Sequence, residues 1–249
     1  MQQRWPTRRT VLACLAASVV ASARAQASRR LVLATGATPP LISTPGRPGF
    51  VDELARDALR RLGYEVDVVM LPVERALLNA NAGIEDGDLF RAAGFERDYP
   101  NLLRVPEALI DNEFMAFSTR ADVQVRDWSD LDRYAVGYIT GYKLFERNVR
   151  NSGNVTLVRN GELLMNLLAS GRADVILNSR WLGLHGAREV RLAVRVHEPP
   201  LARVPMFMYL HRRHEQLVGP LADALAEAKR DGTWQRLYDR TLLPLETDR

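Results

Sequence analysis

The stretch LVLATGATPPLISTPGRPGFVDELARDALRRLGYEVDVVM, residues 31–70, contains the pattern that decides the fold. Its first four residues and the run at 66–70 are short and apolar, which predicts two buried strands. Between them, apolar residues from Phe50 to Leu62 keep helical spacing, and Gly63 supplies a stop signal. The stretch therefore predicts a strand, a long loop, an amphipathic helix and a second strand.

The same alternation of strands and helices continues along the chain, where it forms two sets of elements. The first set ends in an extended segment at 102–119, and the second begins near Trp128. A proline-interrupted extended segment follows at 192–210, and two amphipathic helices complete the chain. Alternating strands and helices predict an α/β fold with parallel strands covered by helices. Each set is large enough to form one hydrophobic core.

Composition and charge exclude several classes of protein. The chain has 249 residues, of which 47% are hydrophobic and 26% charged, unlike disordered, collagen-like or disulfide-stapled chains. Four of its 34 basic residues lie in the first 27 positions, which hold no acid, so residues 28–249 carry 30 of each sign. A neutral body has no overall field to attract phosphate backbones, so we expect no nucleic-acid partner.

The first 27 residues predict an export signal and a periplasmic location. Arginines precede the apolar or small residues 11–23, and two small-residue cleavage patterns follow at 23–27. The apolar run is too short to span a bilayer. Residues 7–12 also match the twin-arginine pattern, so the Tat and Sec routes both stay open.

We expect no cofactor and no metal site. The single cysteine, Cys14, lies within the export signal, so the mature chain has no thiol for a disulfide, a nucleophile or a zinc–thiolate site. The sequence contains no GxSxG, HExxH or GxGxxG motif, so no catalytic residues are assigned. His211 and His214 flank two arginines, which is a poor environment for a cation.

Short motifs are distributed along residues 30–245. They are Pro39-Pro40, Gly49-Phe50-Val51-Asp52-Glu53-Leu54, Arg61-Leu62-Gly63-Tyr64, Pro72-Val73-Glu74-Arg75-Ala76-Leu77, Asp86-Gly87-Asp88, Glu96-Arg97, Val136-Gly137, Thr140-Gly141, Leu168-Ala169-Ser170-Gly171-Arg172-Ala173-Asp174 and Asp231-Gly232-Thr233-Trp234. Because these motifs occur in this order and at this spacing, the chain resembles a family 3 periplasmic solute-binding protein of the polar-amino-acid-binding type.

The resemblance implies a two-lobe α/β fold, with two mixed sheets flanked by helices and joined by two crossover strands near 112–117 and 204–208. Lobe 1 would comprise residues 28–113 and 206–249, and lobe 2 residues 114–205. Such proteins close on a small ligand by hinge motion, and the closed form is recognised by the membrane permease of an ABC importer. We expect a monomer.

The resemblance also implies that an arginine after the third strand binds the ligand carboxylate. Arg97 matches that position most closely, but the segment 86–97 is about one residue shorter than the family pattern. Arg91, directly after the strand 88–90, is the rival, and Arg75 at a helix start is a third candidate. A bidentate arginine suits a carboxylate.

The second set supplies the remaining candidates. Thr140, Gly141 and Tyr142 precede a helix, whose N–H groups and dipole favour an anion. Asn178 stands where amino-acid binders of the family place an aspartate for the ligand ammonium, and Val73 replaces a frequent aromatic residue. An amide brings no charge, so both a polar amino acid and an organic anion are open as ligands.

An enzyme is the alternative reading of the same fold. Some proteins that resemble this family are periplasmic dehydratases, in which a cleft carboxylate performs acid–base chemistry. Asp86, Asp88 and Glu96 are the acids that such a reading would use. Acids near strand ends are more often caps or surface charges, so we expect binding rather than catalysis.

Overall fold

The computed structural model describes residues 29–149 and 154–247, so the predicted export signal lies outside the described residues. Its strands are β1 (Arg29–Thr35), β2 (Tyr64–Met70), β3 (Gly87–Ala92), β4 (Leu102–Arg104), β5 (Ile110–Ser118), β6 (Val136–Ile139), β7 (Val155–Val158), β8 (Val175–Ser179) and β9 (Arg195–His211). Its α-helices are α1 (Phe50–Arg61), α2 (Val73–Ala82), α3 (Lys143–Asn148), α4 (Gly161–Ala169), α5 (Arg180–Glu189), α6 (Glu215–Arg230), α7 (Thr233–Thr241) and α8 (Leu243–Thr247).

The strands form a mixed sheet flanked by helices, which confirms the α/β class. Their order is β2-β1-β3-β9-β5-β8-β6-β7, and β4 also pairs with β9. β1 is parallel to β2 and β3, and β6 is parallel to β7 and β8. The long strands β5 and β9 are antiparallel to their neighbours.

The sheet count differs from the prediction of two mixed sheets joined by two crossover strands. β5 and β9 pair with each other from Ile110 opposite Met206 to Ser118 opposite Arg195, with one irregularity. This pairing joins all nine strands into one hydrogen-bonded network. The predicted crossovers, 112–117 and 204–208, lie within β5 and β9. The division into two lobes and its boundaries stay predictions.

The core is built around the opening unit of the chain. Phe50, Leu54 and Leu59 on α1 are 0%, 1% and 0% exposed, and they belong to the same cluster as Leu221 of α6 and Leu237 of α7. The sequence therefore predicted the buried face of α1 correctly. Within the described residues, no helix combines the length and the apolar character that a membrane span requires.

Sequence analysis missed helix α5, which contains two glycines in ten residues. Each glycine in a helix interior costs about 1 kcal/mol relative to alanine, so the local sequence does not predict a helix. Tertiary packing explains the position of Gly183. A Cβ atom at this residue would lie 2.2–2.8 Å from ring carbons of Phe117, which is itself 0% exposed.

We expect Gly183→Ala to lower the free energy of unfolding by about 1–3 kcal/mol, because the added methyl group overpacks the contact with Phe117. Gly161→Ala in α4 is the matched control, since a Cβ there meets nothing within 4 Å. The control is expected to be neutral or to stabilise by about 0.5–1 kcal/mol. Urea denaturation of both variants measures the difference, and an equal effect would contradict this packing argument.

Candidate functional site

A cleft of about 640 Å³ lies beside β5 and β9. Its lining comes from both ranges that sequence analysis assigned to separate lobes. The apolar lining residues other than glycine are Ala37, Pro39, Leu41, Val73, Phe90, Phe114, Ile139, Met165, Leu182, Val190 and Met206. The polar and charged ones are Thr38, Arg91, Asn112, Tyr142, Arg159, Asn160, Glu162, Asn178, Ser179, His185 and Glu189. Apolar walls with a few polar groups are typical of small-molecule sites.

The buried wall of the cleft consists of its buried lining residues, Leu41, Phe90, Arg91, Asn112, Phe114, Met165, Asn178 and Ser179. Arg91 is the charged side chain of this wall, at 8% exposure. Its Nε and Nη2 donate to Oδ2 of Asp88 at 2.9 and 2.8 Å, and Nη2 also donates to the carbonyl oxygen of Val73 at 2.6 Å. Asp88 is 0% exposed, and burial raises its pKa while the guanidinium opposes that shift. Among the described residues Nη1 has no hydrogen-bond partner, so it is available to a ligand acceptor.

A bulge in β3 brings Asp88 and Arg91 together. Asp88 is opposite Tyr209 and Arg91 is opposite Phe207, so one extra residue lies on the β3 side. In a regular strand, side chains three residues apart point to opposite faces. Because of the extra residue, the two side chains meet on one side and Asp88 orients the guanidinium. The sequence carries no signal for this bulge, since the partner strand is far away in the chain.

Three neutral polar groups lie on the same cleft lining as Arg91. Oδ1 of Asn178 accepts from the Ser179 amide at 2.9 Å, which leaves the Nδ2 donors without a partner among the described residues. Because a backbone N–H needs an acceptor, this bond also determines which way the amide is turned. Ser179 Oγ and Asn112 Oδ1 are buried and likewise have no partner in the described part of the chain. Sequence analysis did not single out Asn112 or Ser179.

Tyr142 closes one side of the cleft with an aromatic surface. Its ring stacks on Phe145 with centroids 5.4 Å apart and meets Phe114 edge-on at 6.4 Å. Burial raises the pKa of the Tyr142 phenol, so the group stays neutral at physiological pH.

The backbone amides predicted to hold an anion already have protein partners. The amide of Thr140 donates to Val158 O at 2.9 Å, that of Gly141 to a Glu146 carboxylate oxygen at 3.0 Å, and that of Tyr142 to Ile139 O at 3.4 Å. Thr140 and Gly141 are exposed and are not among the residues that line the cleft.

The rim of the cleft carries exposed charges. Arg159 and Glu162 flank the start of α4. Oε1 of Glu189 lies 3.0 Å from Nη1 of Arg47. His185 also lines the cleft, and burial lowers its pKa, which favours the neutral imidazole. Exposed charges of both signs are screened by solvent, so the rim contributes less to ligand selection than the buried wall.

Three of the seven candidate residues therefore line the cleft: Arg91, Tyr142 and Asn178. Arg97 and Arg75 are exposed and do not line it. Arg97 lies in the loop after β3, whereas Arg91 lies on the strand itself. The binding roles of all seven stay predictions. In residues 29–149 and 154–247 no group of three or more metal-binding side chains lies together.

Comparisons with known proteins support the fold. No protein-family profile matches the chain. An uncharacterized protein of Shewanella oneidensis is 25% identical over 197 residues, which cover 72% of this chain and 70% of that protein.

Solved structures are more informative than sequence relatives. A histidine kinase sensor domain with similarity to periplasmic binding proteins has a TM-score of 0.71 at 18% identity, covering 86% of this chain and 96% of that one. An ancestral arginine-binding protein bound to arginine has a TM-score of 0.70 at 18% identity, with 86% and 98% coverage. An ancestral amino acid-binding protein, a precursor of cyclohexadienyl dehydratase, has a TM-score of 0.68 at 17% identity, with 85% and 94% coverage. The chain therefore has a periplasmic-binding-protein-like fold.

Proposed function

We propose that this protein is a periplasmic solute-binding protein of the family 3 type. It captures a small polar solute, an amino acid or an organic anion, between two lobes and delivers it to the permease of an ABC importer. The export signal predicted in residues 1–27 supports the periplasmic location. The likeness to amino-acid-binding structures supports the binding role.

The buried Arg91 is the single observation that carries this proposal. Its guanidinium is held by Asp88 and Val73, yet Nη1 remains without a partner in the described part of the chain. A charged donor that is oriented in advance and directed at a cleft loses little entropy when it binds an acceptor. Residues 36–91 on one side and 114–190 on the other both contribute to the lining, which is what closure on a ligand requires.

A thermal-shift screen of amino acids, organic acids and small amines tests the proposal. At 100 times its dissociation constant, a ligand adds about 2.7 kcal/mol to the free energy of unfolding. For a chain of this size the melting temperature is then expected to rise by roughly 5–10 °C. Small-angle scattering should show a smaller radius of gyration with the same ligand. A chain that neither gains stability nor contracts with any solute would contradict a binding role.

The dehydratase alternative rests on the same cleft. Glu162 and Glu189 are carboxylates on its lining, and one structure of similar fold is a precursor of cyclohexadienyl dehydratase. Both side chains are exposed to solvent, so neither lies in the water-excluded part of the cleft. Steady turnover of prephenate by the purified protein would favour the enzyme over the binding protein.

A further inference from the structure

The buried wall of the cleft offers no free carboxylate to a ligand cation. Asp88 contacts Arg91, and both of its oxygens already accept hydrogen bonds, one from the Phe90 amide at 3.1 Å and the other from Arg91. Within the described residues, the acids on the lining are Glu162 and Glu189, both on the exposed rim. An ammonium group bound against the buried wall would lose its hydration without gaining a buried counter-charge, which weakens binding.

Donors dominate the same wall. Nη1 of Arg91 and Nδ2 of Asn178 have N–H groups without partners among the described residues, and the buried Ser179 hydroxyl can donate as well. Asn112 Oδ1 is the acceptor that accompanies them. A ligand with acceptor oxygens satisfies these donors, and a carboxylate accepts from a guanidinium N–H more strongly than a neutral oxygen does.

The rest of the lining is apolar. Phe90 and Phe114 are buried, and Met165 is 1% exposed. Val73 is 58% exposed at the mouth of the cleft, where Gly36 packs against it. These side chains can enclose the hydrocarbon part of a ligand, since apolar walls fix its body while a few polar groups fix its orientation.

We propose that the ligand is a carboxylic acid with an apolar or aromatic body and no ammonium group. The carboxylate accepts from Arg91 Nη1 and from the donors of Asn178 and Ser179, and the body lies against Phe90, Phe114 and Tyr142. This inference rests on the proposed binding function and narrows its ligand class, because an α-amino acid would place its ammonium beside Asn178 and Arg91.

Matched pairs of compounds test the inference by titration calorimetry on the whole protein. The pairs are 3-phenylpropanoate with L-phenylalanine and 4-methylpentanoate with L-leucine, which differ only by the α-ammonium group. We expect at least one acid to bind, and to bind at least about tenfold more tightly than its amino acid, because the ammonium has no buried partner.

Asn178→Asp tests the wall directly, since it introduces a carboxylate where the neutral amide stands. The ratio of the two affinities is expected to move toward the amino acid by about tenfold or more. Asn166→Asp is the matched control, because Asn166 is exposed on α4 and does not line the cleft. The control should leave the ratio unchanged. If Asn178→Asp does not fold, the ratio measured with the unchanged protein still decides the inference.

The outcomes separate this inference from the proposed function. The inference would be overturned if an amino acid bound as tightly as its acid, or if Glu162→Gln removed the affinity for an amino acid. In either case the proposed binding function would still hold. The same holds if both pairs fail while a solute that carries an ammonium group stabilises and contracts the protein. If no solute gives heat, stabilisation or contraction, the binding function itself is overturned.

Discussion

Arg91→Met is expected to unfold in urea at pH 8 with a free energy of unfolding about 3–5 kcal/mol below that of the unchanged protein. The substitution removes the guanidinium whose Nε and Nη2 neutralise Asp88, a carboxylate with 0% exposure. Only the Phe90 amide would then remain on that carboxylate. A buried charge that loses its partner is far more costly than the pair was favourable, so this loss exceeds that of an ordinary surface change.

The loss in free energy of unfolding that Arg91→Met causes is expected to depend on pH. Burial raises the pKa of Asp88, and in the variant no guanidinium opposes that shift, so the folded state binds the proton more tightly than the unfolded chain does. The loss of stability is therefore complete at a pH above the folded-state pKa of Asp88. It decreases as the pH falls through that pKa toward the unfolded-state value of about 4. Urea curves at pH 8 and pH 5 should show the smaller deficit at pH 5.

Two further variants separate the buried charge from lost packing. Arg91→Met combined with Asp88→Asn removes both charges and keeps an acceptor for the Phe90 amide, so more than half of the deficit should be recovered at pH 8. Arg97→Met is the matched control, because Arg97 is exposed, and its effect should stay within about 0.5 kcal/mol. A double variant as unstable as Arg91→Met alone would show that the ion pair is not the cause.

The contrast between Arg91 and Arg97 shows what the sequence could say about the site. The family resemblance placed Arg91 and Asn178 in the candidate set, and Tyr142 joined it because it precedes a helix whose N–H groups favour an anion. The choice between the two arginines depends on the bulge in β3, which is defined by pairing with Tyr209 and Phe207 of β9. No local pattern in residues 86–97 contains that pairing.

The fold was predictable to a similar extent. Apolar periodicity identified α1 and most strands, because their buried faces repeat within a few residues. Helix α5 was missed because its glycines disfavour a helix locally, and its position depends on the ring of Phe117 in β5. The two predicted sheets became one network for a related reason, since the pairing of β5 with β9 is a contact between distant segments.

Phe50→Ala is expected to lower the free energy of unfolding by about 3–5 kcal/mol, the range for a fully buried aromatic side chain. Phe50 begins α1, is 0% exposed and meets two rings of α7 edge-on, those of Trp234 at 5.3 Å and Tyr238 at 6.4 Å. Leu163→Ala, at a position with 40% exposure on α4, is the control and should change stability by about 0.5 kcal/mol or less. Urea denaturation measures both, and equal losses would contradict a dominant role for Phe50.

A double-mutant cycle shows whether Phe50 stabilises the fold through α7. Trp234 is oriented by its Nε1 bond to Leu109 O at 2.8 Å and by stacking on Tyr238 with an interplanar angle of 12°, so its edge-on contact with Phe50 is well defined. Phe50→Leu and Trp234→Leu are milder changes that keep the core apolar. Their effects should be coupled by about 0.5–1.5 kcal/mol, because an aromatic pair contributes beyond its buried area. Additive effects would mean that α1 and α7 share a core without this contact, and the rings would then contribute by burial alone.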